Sequence, residues 1–220
     1  MHTSTAAGLA ALLAVLTTAT AMAIEEPGFK LLEKDGNFEL RQYSSHVVAE
    51  TRVEGNFEDA GGEAFQRLFR YISGHNVAQQ KIAMTAPVTQ SSATPRGEKI
   101  AMTAPVTQVE DDDAFLVAFT LPATYTLATA PAPRDPAVKI REVPPQLLAC
   151  WRYSGRWTMA NYRESETLLR QRIQARELST RGDAVLARYN PPFTPWFMRR
   201  NEVLIPVAPQ SKVRSGSNRD

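Results

Sequence analysis

The chain has one cysteine in 220 residues, Cys150, so no intramolecular disulfide can form in any redox compartment. It lies in the apolar run Leu147-Leu148-Ala149-Cys150-Trp151, a setting for a buried, inert thiol rather than a nucleophile. Histidine is almost as scarce: there are three, and His2 stands in the leader, leaving His46 and His75. No Ser-His-Asp order, nucleophile elbow, phosphate loop, glycine-rich nucleotide fingerprint or metal-ligand spacing is visible, which argues against the common catalytic designs. Charge of one sign is also missing. Lys and Arg total 25 against 23 Asp and Glu, a net +2, and the arginines are scattered among carboxylates, so a nucleic-acid partner is not expected.

Long apolar runs are absent too, and with them a stable membrane span. The first 23 residues contain no Asp, Glu, Lys or Arg. Ala7 to Leu16 form a short apolar core, followed by the small-x-small site Ala21-Met22-Ala23. This predicts a cleaved export signal over 1–23 and a periplasmic or secreted protein beginning at Ile24. Residues 24–208 are expected to form one domain, monomeric or weakly associating, and 209–220 a flexible polar tail.

What is present is repetition. Lys81 to Gln90, Lys-Ile-Ala-Met-Thr-Ala-Pro-Val-Thr-Gln, recurs unchanged as Lys99 to Gln108. Each copy reads as a short strand ending at or near its proline, Pro87 or Pro105, with Met84 and Met102 as packing residues. A second similarity spans the chain. Shifting Phe38–Phe57 by one hundred residues onto Val138–Trp157 superposes Arg41 on Arg141, Ala49 on Ala149, Arg52 on Arg152 and Gly55 on Gly155. Both stretches alternate as half-buried strands, break at Ser44-Ser45 or Pro144-Pro145, resume, and turn at the glycine.

A helix follows each stretch. Asn56 is a good N-cap with Glu58 and Asp59 in the first turn, and Phe57, Ala60, Ala64, Phe65, Leu68, Phe69 and Ile72 make a broad apolar stripe closed by Gly74. The second stripe, Met159, Tyr162, Leu169 and Ile173, is thinner and arginine-rich around it. Strands are expected near 38–43, 47–53, 82–86 and 100–104, then 138–143, 147–153, 184–189 and 203–207. Ala114–Leu121 adds a connecting strand after the acidic loop Glu110–Asp113, and 122–137 forms an extended connector. The fold class is α+β: pseudo-twofold, duplicated β-β-α-β-β units forming a distorted, mostly antiparallel β-barrel flanked by two helices.

Several pieces in order carry a family resemblance: Phe38-Glu39-Leu40-Arg41-Gln42-Tyr43, Tyr71-Ile72-Ser73-Gly74-His75-Asn76, the Lys-Ile-Ala-Met-Thr-Ala-Pro-Val copies, and Tyr189-Asn190-Pro191-Pro192-Phe193 leading to Arg199-Arg200-Asn201-Glu202-Val203. Together they resemble the SOUL haem-binding family. The resemblance implies non-covalent binding of haem b or another porphyrin in a shallow apolar cleft, the tetrapyrrole being the partner. By the same resemblance Phe65, Leu68 and Phe69 would lie along the ring, Arg70 would pair with a propionate, and Tyr189, Phe193 and Trp196 would line the same cleft.

Axial ligation does not carry over. In some relatives a His stands between the Arg and Tyr of the second strand, and here that place is Gln42. His46, His75 and Tyr189 are the remaining weak candidates for the iron. The competing function is a small-molecule hydrolase or tetrapyrrole-modifying enzyme on the related effector-binding fold. Glu202 is the acid to test first in that role, against its reading as a structural ion pair with Arg199 or Arg200.

Overall fold

Side chains alternate between the two faces of a strand, and in this protein the alternation separates a helix-covered face from an open one. The computed structural model describes residues 24–78 and 97–209. The expected leader, strand 82–86, Met84 and all but the first residue of the expected tail lie outside them.

The elements in order are β1 (Phe29–Asp35), β2 (Phe38–Tyr43), β3 (His46–Glu54), α1 (Phe57–Ile72), β4 (Asn76–Val77), β5 (Val106–Asp111), β6 (Ala114–Thr120), β7 (Ala132–Pro133), β8 (Val138–Val143), β9 (Gln146–Tyr153), α2 (Met159–Ala175), β10 (Leu178–Thr180), β11 (Val185–Arg188) and β12 (Asn201–Pro209). The main sheet runs β1-β2-β9-β12-β11-β5-β6-β3-β8, with β10 added on β12, and β4 pairs with β7 apart from it. Every ladder is antiparallel, and the sheet curls into an open half-barrel.

The duplication is visible in that order. Exchanging β2 with β8, β9 with β3, β12 with β6 and β11 with β5 maps the path from β2 to β8 onto itself, with β1 added at one edge, so the pseudo-twofold passes between β11 and β5. The helices obey the same symmetry. Their first turns meet where Phe57 stacks on Tyr162 at 5.4 Å and the Met159 amide donates to Glu58 Oε1 at 3.1 Å.

Several expectations need correction. Residues 100–104 do not form a strand: Thr103 makes one isolated bridge to Glu25, and pairing begins at Val106, after Pro105. A proline marks a strand boundary without saying on which side the strand lies, and here β6 and β11 supply partners only to the residues beyond it. The third and fourth strands of the first unit are therefore β5 and β6, the latter read from sequence as a connecting strand outside the unit. The acidic run is likewise half strand, because Glu110 and Asp111 pair with Phe115 and Ala114. Met102 is exposed rather than packed. Strand β1 went unread because every residue in it is solvent-exposed and its pattern has no buried phase.

Helix α1 begins where Asn56 accepts the Asp59 amide through its side chain at 2.9 Å. It closes at Gly74, whose φ of +109° favours glycine. Ala60, Ala64, Leu68 and Ile72 face the sheet at helical spacing and join Val47, Ala49, Val117, Phe119, Ala149, Leu186, Val203 and Ile205 in one core shared with α2. Each large apolar side chain in that core contributes roughly 1.5–3 kcal/mol.

Candidate functional site

Neighbouring residues on a helix point about 100° apart, and this separates Leu68 from Phe69. Leu68 is fully buried among the sheet residues, so it offers no surface to a ligand; its expected place along a porphyrin ring is not what the fold provides. Phe65 and Phe69, four residues apart, share the next stripe and stack with centroids 5.9 Å apart and planes 11° from parallel. Phe65 is wedged edge-on against Phe119 at 5.3 Å, which holds the pair in place, and Phe69 is 46% exposed.

The cations of α1 sit elsewhere on its circumference, Arg70 one residue on from Phe69 and Arg67 on the opposite flank, toward β3. Arg70 is exposed, with its guanidinium 3.9 Å from the Asp135 carboxylate; Arg67 approaches the same carboxylate at 3.9 Å and donates to Thr51 Oγ1 at 2.8 Å. The single carboxylate Asp135 serves two guanidinium groups at long range, so Arg70 remains able to meet an anion. His75 follows the helix, and its amide donates to the Arg70 carbonyl at 3.0 Å.

Tyr189 and Glu202 lie on the other face of the sheet. Arg41 Nη1 and Nη2 donate to Glu202 Oε2 and Oε1 at 2.7 and 2.9 Å, the Tyr189 hydroxyl donates to Oε2 at 2.8 Å, and Arg200 Nε donates to Oε1 at 3.0 Å. Glu202 is 0% exposed. Burial pushes its carboxyl up, but hydrogen bonds and charge from Arg41, with Arg200 and Tyr189, hold it below the ordinary value of 4.5. Burial and then the Glu202 charge push the Tyr189 phenol well above its ordinary value.

These facts revise two sequence expectations. Glu202 is a carboxylate with four donors on its two oxygens, a structural pair with Arg41 as well as Arg200, and has no free lone pair facing a substrate. Tyr189 is a neutral phenol committed to Glu202, which removes it both as an iron ligand and as a cleft wall. The pairing with Arg41 joins residues 161 positions apart, and nothing local in the chain announces it.

Beside this cluster the open face carries a shallow groove of about 160 Å³, lined by Val48, Val109, Leu116, Leu148 and Leu204 with Glu50 and Arg141 at its side. That is below the roughly 300–1,000 Å³ of enclosed small-molecule pockets, so it cannot swallow a macrocycle. His46 stands at this groove, its Nδ1 3.1 Å from the Ser44 carbonyl, on the face away from α1.

Phe193 and Trp196 form a third location. Their loop is tied to the β9–α2 turn, where the Gly155 amide donates to the Trp196 carbonyl at 3.1 Å. That turn adjoins the first turn of α1, whereas Phe69 and Arg70 occupy the last, about 17 Å further along the axis. Phe197 and Met198, not singled out in the sequence, are exposed in the same loop. Their adjacency to Trp196 and to the Pro191, Pro192 and Pro195 turns was the available signal. Among the described residues no cluster of three or more His, Cys, Asp or Glu could hold a metal ion, and no helix is long and apolar enough to cross a membrane.

Comparison with known proteins agrees with this architecture. Heme-binding protein 1 of Xenopus tropicalis is 29% identical over 174 residues, covering 78% of this chain and 84% of that protein. The C-terminal domain of EcmrR superposes with a TM-score of 0.50 at 10% identity, over 83% of this chain and 99% of that one. A hydrolase from Listeria innocua gives 0.50 at 11% identity, over 80% and 94%. These two structural likenesses establish shared fold alone. A family model described as SOUL heme-binding protein matches residues 24–206, and the chain belongs to that family.

Proposed function

We propose that the protein binds haem, or a closely related porphyrin, non-covalently on the solvent side of α1. The observation that carries this is the exposed Phe69 ring, backed by Phe65, with the exposed Arg70 the next residue on the solvent side of the helix. A porphyrin presents a flat apolar plane and two propionates, which asks for an aromatic platform with a cation at its edge. Phe65 and Phe69 would support the macrocycle and Arg70 a propionate. Haem b is the form expected, held openly rather than enclosed. Of the two described histidines, His75 is the one at this end of α1, and bound haem would bring its own redox-active iron to whatever axial group reaches it.

Export through the 1–23 leader, a monomeric or weakly associating state and the absence of a nucleic-acid partner belong to the same reading. They are supported by the uncharged leader and the net charge of +2. Nothing favours the hydrolase alternative, because Glu202 is buried with both oxygens engaged.

The test is a Soret titration with ferric haem. Saturation at one equivalent is expected, with Phe69→Ala and Arg70→Glu each weakening binding about tenfold. Phe193→Ala should leave affinity within a factor of about two, and a Soret shift in His75→Ala would identify the axial ligand. Unchanged affinity in both α1 variants removes the site from this helix.

A further inference from the structure

We propose that the loop between β11 and β12 is a docking surface for an anionic lipid bilayer. Its apolar side chains are held outward by construction. Phe193, Trp196, Phe197 and Met198 are 86%, 50%, 61% and 65% exposed. A floppy loop would fold such groups inward, but this one is braced from within. Arg199 donates to the carbonyls of Thr194 and Pro192 at 2.8 and 2.7 Å, the Arg200 amide donates to Asn190 Oδ1 at 2.6 Å, and Gly155 ties down Trp196. Four large apolar side chains together in water mark an interaction surface on a soluble chain.

Charge selects the partner. Residues 189–201 and the adjoining turn 154–163 contain no Asp or Glu. They do contain Arg156, whose guanidinium lies 5.8 Å from the Trp196 ring, and Arg199, 4.1 Å from the Trp157 ring. Neither has a carboxylate partner among the described residues, whereas Arg41, Arg52, Arg67, Arg141, Arg163, Arg176 and Arg200 each pair with one. Aromatic rings that stop at headgroup depth, with Arg156 beside them and the braced Arg199 adding positive charge that no carboxylate cancels, match the chemistry of an anionic membrane surface: rings enter the acyl boundary and the Arg156 guanidinium meets phosphates. The proposal is independent of where the tetrapyrrole sits.

Flotation of the purified protein with lipid vesicles tests it. Vesicles of two parts phosphatidylcholine to one part phosphatidylglycerol should retain about ten times more protein than pure phosphatidylcholine, falling as salt rises. The double variant Phe193→Ser, Phe197→Ser should lose binding while keeping its melting temperature, since both side chains are already solvated, and Arg156→Glu should weaken it. Phe69→Ala should float like the parent, which separates this surface from the one on α1. No flotation with the anionic vesicles, or unchanged flotation in the double variant, overturns the proposal. So does a stable dimer, seen by sedimentation, that the double variant disperses.

Discussion

Replacing Glu202 by Gln isolates the buried charge network in one step. The volume is kept, but the amide has one accepting oxygen where the carboxylate had two, and in either orientation its NH₂ faces an Arg41 nitrogen, which can only donate. Arg41, whose side chain is 3% exposed, then keeps a buried charge opposed only by Glu39 at 2.7 Å, which places the cost toward the lower end of the range for a pair broken on one side. Breaking one side of a buried pair costs roughly 3–5 kcal/mol, a large share of the 5–15 kcal/mol that holds a typical domain together. In a chain of this size that corresponds to a melting temperature lowered by roughly 6–20 °C.

The measurement is urea and thermal unfolding of both proteins followed by circular dichroism. Acidity supplies an internal control. The folded-state pKa of Glu202 lies below the ordinary 4.5, so the carboxylate's contribution is complete above that pH and is lost as the pH falls through the lower folded value. The gap between parent and variant should therefore be widest near neutrality and narrow on acidification. A cost under about 1 kcal/mol would refute the argument that the pair is buried and interdependent. A gap that stays constant below pH 4.5 would refute the ionisation argument.

Two neighbouring substitutions separate packing from binding. Leu68→Ala should cost roughly 2–5 kcal/mol in unfolding while leaving the Kd for haem of the folded protein unchanged; a binding defect without a stability defect would return Leu68 to the ligand surface. Tyr189→Phe removes one hydrogen bond to a buried carboxylate and should cost roughly 1.5–3 kcal/mol, with the Soret maximum of the haem complex unmoved. A shifted maximum would show that the phenol reaches the iron after all.

The strands and helices of the two halves were legible because their pattern is local. Period two in 38–43 and 47–53, the same period one hundred residues later, and the Asn56 cap all express interactions within a few residues. The sequence also marked α1 as the element with aromatic and cationic residues together. It could not say which neighbours share a face with the sheet, and so Leu68 and Phe69 were read alike. Nor could it place β5, since Pro105 bounds a strand equally well from either side. Strand β1 carried no pattern to read, because all of it is exposed and it is held by its ladder to β2 and by the pairs of Glu33 and Asp35 with Arg176 at the end of α2.

By itself, then, the amino-acid order determined the duplicated unit, the helix boundaries and the family, through short-range periodicity and motifs that need no partner. Tertiary structure decided the rest. Only the palindromic strand order sets β2, β12 and β11 within one run of the sheet, with β9 between the first two, so that Arg41, Tyr189 and Glu202 meet out of water. Only the pressing of α1 onto the sheet divides its apolar stripe into a buried row and an exposed one. The physical reason is common to both. Burial and ion pairing are properties of groups distant in sequence, and solvent is excluded from them only when the whole sheet has closed around its core.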